Sequence, residues 1–216
     1  MIIVIQVKKG EFFFMSKNKT ESISSNTETL LPAEPAALGL TGLGVAALVI
    51  GSGYLGLTSG IDKLLMVPWV LFFGACVQLV AGIMDFKRNN IFGATVFTGF
   101  AFAMFAIALT LFFTIFGGVS FDISHYAFGL IGILIFSFIA TVTSLMANKL
   151  FFAILIVVNI AVVNLILHYL TGASSLIGGI FLLATSALSF YGSASVLINT
   201  VAGKTILPMG GPIWKP

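Results

Sequence analysis

Six long apolar stretches constrain this chain more than any other feature of its sequence. They cover approximately residues 36–54, 64–84, 91–116, 126–146, 150–169 and 176–197, and none of them contains Asp, Glu, Lys or Arg. A helix that crosses the hydrocarbon core of a bilayer needs about 20 such residues. Each stretch is therefore predicted to be a transmembrane helix, numbered 1 to 6 in chain order.

The overall composition agrees with a lipid environment. Hydrophobic residues make up 59% of the chain and charged residues 8%, and the mean hydropathy is +1.15. Because soluble domains contain roughly 25% charged residues, this chain cannot cover a water-facing surface. A transmembrane β-barrel would need alternating polar and apolar residues, whereas segment 151–158 is continuously apolar. The predicted fold class is an all-α membrane protein with six transmembrane helices.

The chain on either side of these stretches is predicted to lie outside the membrane. Residues 1–33 form a polar tail that we expect to be disordered, because segment 16–29 has no apolar periodicity. The segment from Lys8 to Glu11 can be encoded by a purine-rich stretch that resembles a ribosome-binding site, which suggests that translation starts at Met15. The transmembrane domain is expected at residues 34–210, and a C-terminal tail at 211–216.

The basic residues predict the orientation of the helices. Lys87 and Arg88 lie between helices 2 and 3, Lys149 lies between helices 4 and 5, and both tails carry further lysines. The opposite loops contain only Lys63. Because Lys and Arg accumulate on the cytoplasmic side of membrane proteins, both termini are expected to be cytoplasmic, in a multi-pass protein of the cell membrane.

No residue cluster typical of a metal site or an enzyme is present in the sequence. Two histidines, His125 and His168, and one cysteine, Cys76, cannot build a usual zinc site. The histidines are expected at the outer ends of helices 4 and 5, as solvated residues rather than proton relays. The net charge of +3 is too small to suggest nucleic acid. We therefore expect no cofactor, no metal and no enzymatic activity.

The remaining polar residues favour a path for a small anion or a neutral solute. Asp62, Asp85 and Asp122 lie at the ends of predicted helices, so no carboxylate is available near the membrane midplane for a proton relay. Gln78 and Asn159 place amides inside the spans. An amide needs several partners in a dry interior, so these residues are predicted either to line a pore or to join helices.

Two motifs connect the chain to a known family. The start of helix 1 resembles the signature Asn-Pro-Ala-Pro-Leu-Gly-Leu of the acetate uptake transporter family, also called the GPR1/FUN34/YaaH or succinate–acetate permease family. Here it reads Glu34-Pro35-Ala36-Ala37-Leu38-Gly39-Leu40. The family's Gly-Gly-x-x-Gln-x-x-Ala-Gly-x-x-Glu and Gly-Asn-Thr-Phe-Gly patterns are matched, with Asp85 for Glu, at Gly74, Gln78, Ala81, Gly82, Asn90, Phe92 and Gly93. The likeness runs from Glu34 to Gly210.

This resemblance implies a fold and a function. The family fold has six transmembrane helices per protomer, a pore through each protomer and a homohexameric assembly in the lipid bilayer. The implied substrates are acetate and related small carboxylates, including succinate, carried by an anion channel or by a proton-linked transporter. The lack of a midplane carboxylate favours channel-like permeation, or movement of the proton together with the acid.

The resemblance also implies which residues form the pore. A hydrophobic constriction is placed by position at Leu43, Phe100 and Val158, the last within about two residues because helix 5 aligns ambiguously. Further pore or substrate-binding candidates lie on helices 2, 3, 5 and 6: Gln78, Thr98, Asn159 and Tyr191.

The chain departs from the family pattern at four positions that bear on this function. Glu34 replaces Asn and places a negative charge beside the predicted cytoplasmic mouth, and Ala37 replaces the second Pro. Leu43 and Phe100 stand where Phe and Tyr are common, and the loss of the Tyr hydroxyl removes a donor for an anion. Two other interpretations stay open: a pore for a different small solute, and a membrane sensor or scaffold that transports nothing.

Overall fold

The computed structural model of the protein describes residues 7–8, 11–12, 32–117 and 121–215. The chain divides into two units, Met1–Leu31 and Pro32–Pro216. In the first unit, β1 (Val7–Lys8) and β2 (Glu11–Phe12) pair in antiparallel fashion. The sequence pattern predicts a disordered tail here and no strand pair. The rest of the expected tail as far as residue 31, including the proposed start at Met15, lies outside the described residues.

The second unit is a bundle of helices, and its described residues contain six helices long and apolar enough to cross a membrane. This confirms the predicted all-α membrane fold. The six are α1 (Ala36–Tyr54), α2 (Gly60–Lys87), α3 (Ile91–Phe116), α4 (Tyr126–Ser144), α5 (Lys149–Thr171) and α6 (Leu176–Ala202), and a short 3-10 turn, Ile123–His125, precedes α4.

Local capping residues set several of the helix ends. The side chain of Asn90 accepts a hydrogen bond from Gly93 N at the start of α3, and that of Asn148 accepts one from Phe151 N at the start of α5. Helices α5 and α6 end at Gly172 and Gly203, whose φ angles of 73° and 64° are left-handed. Such caps satisfy backbone groups that a helix end leaves unpaired.

The second helix is irregular along its length. It begins as a 3-10 helix, Gly60–Leu65, continues through Met66–Trp69, widens to a π-helix over Val70–Val77, and returns to α-helix over Gln78–Lys87. It therefore begins four residues earlier and ends three residues later than the apolar pattern at 64–84 predicts. Neighbouring helices satisfy irregular backbone in membrane proteins, so a wide turn can persist there.

Helix α1 lies at the centre of the bundle because its glycines allow close approach. A Cβ atom on Gly42 would lie 2.5 Å from the carbonyl oxygen of Phe73 on α2. A Cβ atom on Gly51 would lie 3.1 Å from the carbonyl oxygen of Gly179 on α6. Small residues let transmembrane helices pack backbone to backbone, so the glycine-rich α1 is wedged between α2 and α6.

The predicted C-terminal tail contributes to the fold. Leu150 N donates a hydrogen bond to Met209 O at 3.1 Å, and Ile213 N donates one to Leu145 O at 2.8 Å. The side chain of Asn199 bonds the backbone of Ile206 and Leu207. The chain after α6 therefore folds back onto the turn between α4 and α5.

Candidate functional site

The three residues predicted to form a constriction line one cavity inside the bundle. Leu43 on α1, Phe100 on α3 and Val158 on α5 lie on its walls, and the cavity, called the central cavity below, has a volume of about 350 Å³. All three side chains are buried, with exposed fractions of 7%, 4% and 6%. Residues that are far apart in sequence thus meet at the same cavity, which is partly open where it reaches Phe102, a residue that is 60% exposed.

The walls of the central cavity are almost entirely apolar. The ring of Phe100 is held edge-on against Phe136 of α4, with ring centroids 5.6 Å apart. The hydroxyl of Thr185, which also lines the cavity, donates to the carbonyl oxygen of Phe181 on its own helix. An apolar enclosure of this kind resists entry of water and ions, which is the physical basis of hydrophobic gating.

A second cavity, called the vestibule below, lies at the end of the bundle where Lys63 is found. It has a volume of about 480 Å³, and its lining includes Lys63, Thr110, Thr114 and Tyr169. Ile50, Tyr54, Ile107 and Tyr126 line both the vestibule and the central cavity. The two cavities are therefore neighbours that share these side chains as a common wall.

Packing is tight towards the opposite end of the bundle, which carries Arg88. Leu40 is 1% exposed and Phe97 is 4% exposed. The ring of Phe97 lies against Gly39, where an added Cβ atom would come within 2.6 Å of Cε1. The signature glycine Gly39 thus makes room for an aromatic ring beside α1.

An ion pair holds the first residues of the signature motif to the turn after α2. Arg88 Nη2 donates to Glu34 Oε2 at 2.7 Å, and Arg88 Nη1 donates to the carbonyl oxygen of Pro32. The other oxygen of Glu34 accepts from Ala36 N at 3.3 Å, in the first turn of α1. The sequence predicts a negative charge of Glu34 beside the cytoplasmic mouth, and the structure pairs this charge with Arg88 and with the N–H of Ala36.

We expect Arg88→Gln to loosen this segment. The substitution removes an interaction between partly buried side chains, of a kind worth about 1 kcal/mol, and leaves Glu34 without its cation. The expected result is a lower unfolding temperature in detergent and faster proteolysis before residue 36. Lys87→Gln is the matched control, since Lys87 is exposed and has no ion pair among the described residues. Equal behaviour of the two variants would contradict the assignment.

The structure does not bring the other predicted pore residues to the central cavity. Gln78 is fully buried, and its Nε2 donates to Gly74 O at 2.6 Å on its own helix. Asn159 Nδ2 donates to the hydroxyl of Thr141 at 2.9 Å and so joins α5 to α4. Buried oxygen atoms without a hydrogen-bond partner within the described part remain on Gln78, Asn159 and Thr98.

Tyr191 also lies away from both cavities. Its side chain is 39% exposed, and its hydroxyl donates to Pro208 O at 2.8 Å. It therefore anchors the segment after α6, close in role to Asn199. The tyrosines that do line a cavity, Tyr54, Tyr126 and Tyr169, lie at the other end of the bundle.

The loop motif after α2 is a compact buried turn. Asp85 is fully buried although it occupies the last turn of α2, and Asn90 Nδ2 donates to its Oδ1 at 3.0 Å. Gly93 lies directly against the other oxygen of Asp85, where a Cβ atom would collide. The ring of Phe92 packs edge-on against Phe151 at 5.5 Å. The motif residues thus fix the α2–α3 turn.

The comparisons with known proteins agree with this architecture. Residues 18–209 match the GPR1/FUN34/yaaH family. The chain belongs to this family. The succinate-acetate/proton symporter SatP of Escherichia coli K12 is 26% identical over 189 residues, which cover 82% of this chain and 95% of SatP, and the symporter of the same name from Shigella flexneri matches equally.

A solved structure supports the same fold. The bacterial acetate channel SatP superposes with a TM-score of 0.77 at 21% identity, over 83% of this chain and 99% of that one. The resemblance drawn from the two motifs is therefore confirmed. Like its relatives, this GPR1/FUN34/yaaH member is a multi-pass protein of the cell membrane, and it is a transport protein rather than an enzyme.

The sequence analysis missed the residues around the vestibule of this family member. Tyr54, Tyr126 and Tyr169 lie at the ends of α1, α4 and α5, and each is half-buried. The signal that could have found them is simple: three of the four tyrosines of the chain fall at the Lys63 end of predicted spans. The family pattern indicates pore residues only in the interiors of the helices, whereas these tyrosines lie at helix ends.

His168 likewise differs from the expected solvated residue. Its Nδ1 lies 2.7 Å from the carbonyl oxygen of Ala173, and its ring is half-buried against Tyr54 and Tyr169, with centroids 6.2 Å and 5.2 Å away. Since a carbonyl oxygen only accepts, Nδ1 carries the hydrogen of this bond. The ring of His168 therefore packs against Tyr54 and Tyr169 and helps to hold their positions.

Proposed function

We propose that this protein conducts acetate and related small carboxylates, including succinate, through a hydrophobically gated pore within each protomer. One observation carries the proposal: Leu43, Phe100 and Val158, from three different helices, line a single apolar cavity of about 350 Å³. The relatives named for acetate and succinate supply the substrate class. We expect the apolar walls of this cavity to control passage, because they offer a carboxylate little to replace its lost water.

Channel-like permeation is the favoured mode. The described acidic residues of the bundle are Glu34, Asp62, Asp85 and Asp122, and none lines the central cavity. Proton relays in membrane proteins commonly use Asp, Glu or His, and none of these is among the described residues that line the central cavity. We therefore expect acetate flux to follow the membrane potential. Accumulation driven strictly by a pH gradient would count against a plain channel.

The test is uptake of labelled acetate into proteoliposomes that contain the purified protein. We expect influx above that of empty liposomes, reduced by unlabelled propionate and succinate in excess. Glycerol serves as the competitor that should not inhibit, because it has no carboxylate. Flux of labelled glycerol at the same rate as acetate would favour a pore for another solute. Flux of neither compound would favour a sensor or scaffold.

Orientation and assembly complete the proposal. Lys87, Arg88, Lys149 and Lys204 lie at one end of the bundle by helix order, and Lys63 lies at the other. The excess of positive charge at the first end supports cytoplasmic termini. The family resemblance supports a homohexamer, and native mass spectrometry in detergent should give six protomers. A monomer under the same conditions would remove the assembly but not the pore.

A further inference from the structure

The boundary between the vestibule and the central cavity is built from aromatic hydroxyls. Tyr54 and Tyr126 line both spaces, and Tyr169 lines the vestibule beside them. The hydroxyl oxygens of Tyr54 and Tyr169 are 2.7 Å apart and share a hydrogen bond. The ring of Tyr126 stands edge-on to that of Tyr169, with centroids 5.1 Å apart. The tyrosine cluster therefore forms part of the wall that the two cavities share, together with Ile50 and Ile107.

The cluster has hydrogen-bond donors to spare. Two hydroxyls that share one hydrogen bond use one of their two hydrogens, so the Tyr54–Tyr169 pair keeps one donor. The hydroxyl of Tyr126 has no partner among the residues that the structure describes, which gives a second donor. Phenols ionise near pH 10, so both donors are present at neutral pH. A carboxylate has two oxygens that accept such bonds.

Lys63 is the one charged residue among the described residues that line the vestibule. Lys63 is half-buried on the vestibule wall and makes no ion pair within residues 32–117 and 121–215. The nearest acid of the adjoining pocket, Asp122, is held by Ser124, whose hydroxyl lies 2.6 Å and whose N–H lies 3.0 Å from Oδ1. These hydrogen bonds lower the pKa of Asp122 and so keep it ionised, and His125 lies 3.7 Å from its other oxygen. Asp122 lines the adjoining pocket and not the vestibule itself.

We propose that Tyr126 and the Tyr54–Tyr169 pair form a binding site for a small carboxylate at the entrance to the central cavity, with Lys63 attracting the anion into the vestibule. The site replaces part of the water lost by the carboxylate before it enters the apolar cavity. It thus serves the step that a hydrophobic path makes most costly. The inference rests on the proposed function for its substrate class.

The donor count gives the proposal a distinctive test. Tyr126→Phe removes an independent donor, so the acetate concentration for half-maximal influx into proteoliposomes should rise about tenfold. Tyr54→Phe or Tyr169→Phe alone should change it less than about threefold, because the surviving hydroxyl of the pair is freed to donate. The double variant Tyr54→Phe/Tyr169→Phe should match Tyr126→Phe. Lys63→Gln should raise it about threefold, and less at high salt.

Two control variants keep the result specific. Thr143→Val removes a hydroxyl from the same helix as Tyr126, but this hydroxyl bonds Ile139 O within α4. Lys204→Gln removes an exposed lysine beyond the end of α6. Both should behave as the unaltered protein. The site would be overturned if every tyrosine variant had the same half-maximal acetate concentration as the unaltered protein. It would also be overturned if each single tyrosine substitution raised that concentration by the same factor.

A binding measurement separates this inference from the proposed function. Calorimetric titration of the protein in detergent with sodium acetate should show binding that weakens in the same order as in the flux assay. If the unaltered protein carries no acetate but binds it in this pattern, the site stands and the transport function fails. If it carries acetate and the tyrosine variants titrate alike, the site fails and the transport function stands.

Discussion

Leu43→Trp is expected to abolish acetate influx into proteoliposomes. Leu43 is 7% exposed and lines the central cavity together with Phe100 and Val158. The larger indole occupies the space through which a carboxylate must pass, so flux should fall to the level of empty liposomes. Initial rates of labelled acetate uptake measure the effect. Unchanged flux would remove Leu43 from the constriction.

The same substitution on the outer face of α1 is the matched control. Leu48 is 48% exposed and does not line the central cavity, so Leu48→Trp should leave flux within about twofold, since exposed substitutions have small effects. Leu43→Trp also overpacks a buried site, which costs roughly 1–3 kcal/mol. Size-exclusion chromatography checks that this cost does not disrupt the protein, and both variants should elute at the volume of the unaltered protein. Leu43→Ala, which widens the cavity instead, should keep or raise flux.

Gly42→Ala is expected to lower the stability of the bundle by the addition of a single methyl group. The added Cβ would lie 2.5 Å from the carbonyl oxygen of Phe73 and 3.1 Å from Cγ1 of Val77. Because the first of these is a backbone atom, α1 and α2 must move apart to accept it. Overpacking of this kind costs about 1–3 kcal/mol, and the unfolding temperature in detergent should fall by several degrees.

Gly132→Ala is the control for this experiment. Gly132 lies within α4, and a Cβ atom there would meet nothing within 4 Å. Since Ala is a better helix former than Gly by roughly 0.5–1 kcal/mol, this variant should be as stable as the unaltered protein or more so. If Gly42→Ala and Gly132→Ala unfold at the same temperature, the close contact between α1 and α2 carries little of the stability.

The site illustrates where sequence reasoning succeeds and where it stops. The family motif led to Leu43, Phe100 and Val158, and these residues do line one cavity. The amides of Gln78 and Asn159 were predicted either to line a pore or to join helices, and they bond to Gly74 and Thr141 inside the protein. An amide on an apolar helix satisfies its hydrogen bonds equally well in a pore or between helices. The sequence alone therefore cannot distinguish these two positions.

The sequence by itself determined the six transmembrane helices. The bounds of α1 and α3, Ala36–Tyr54 and Ile91–Phe116, coincide with the apolar stretches. This follows because a helix in lipid must satisfy its backbone within its own segment and present apolar side chains outwards. Both requirements are local, so they can be read from consecutive residues. The π-helical part of α2 is an exception, since its conformation involves contacts with α1 and α3.

Only the tertiary structure decided which ends of those helices meet. Tyr54 and Tyr169 are 115 positions apart in the sequence, yet their hydroxyls share a hydrogen bond. Together with Tyr126 they line the vestibule beside Lys63. Arg88 and Glu34 likewise meet across 54 residues, and this gives the negative charge of Glu34 a cationic partner. Such meetings depend on how close the glycines of α1 let its neighbours come, and that distance is a property of the packed bundle rather than of any one segment.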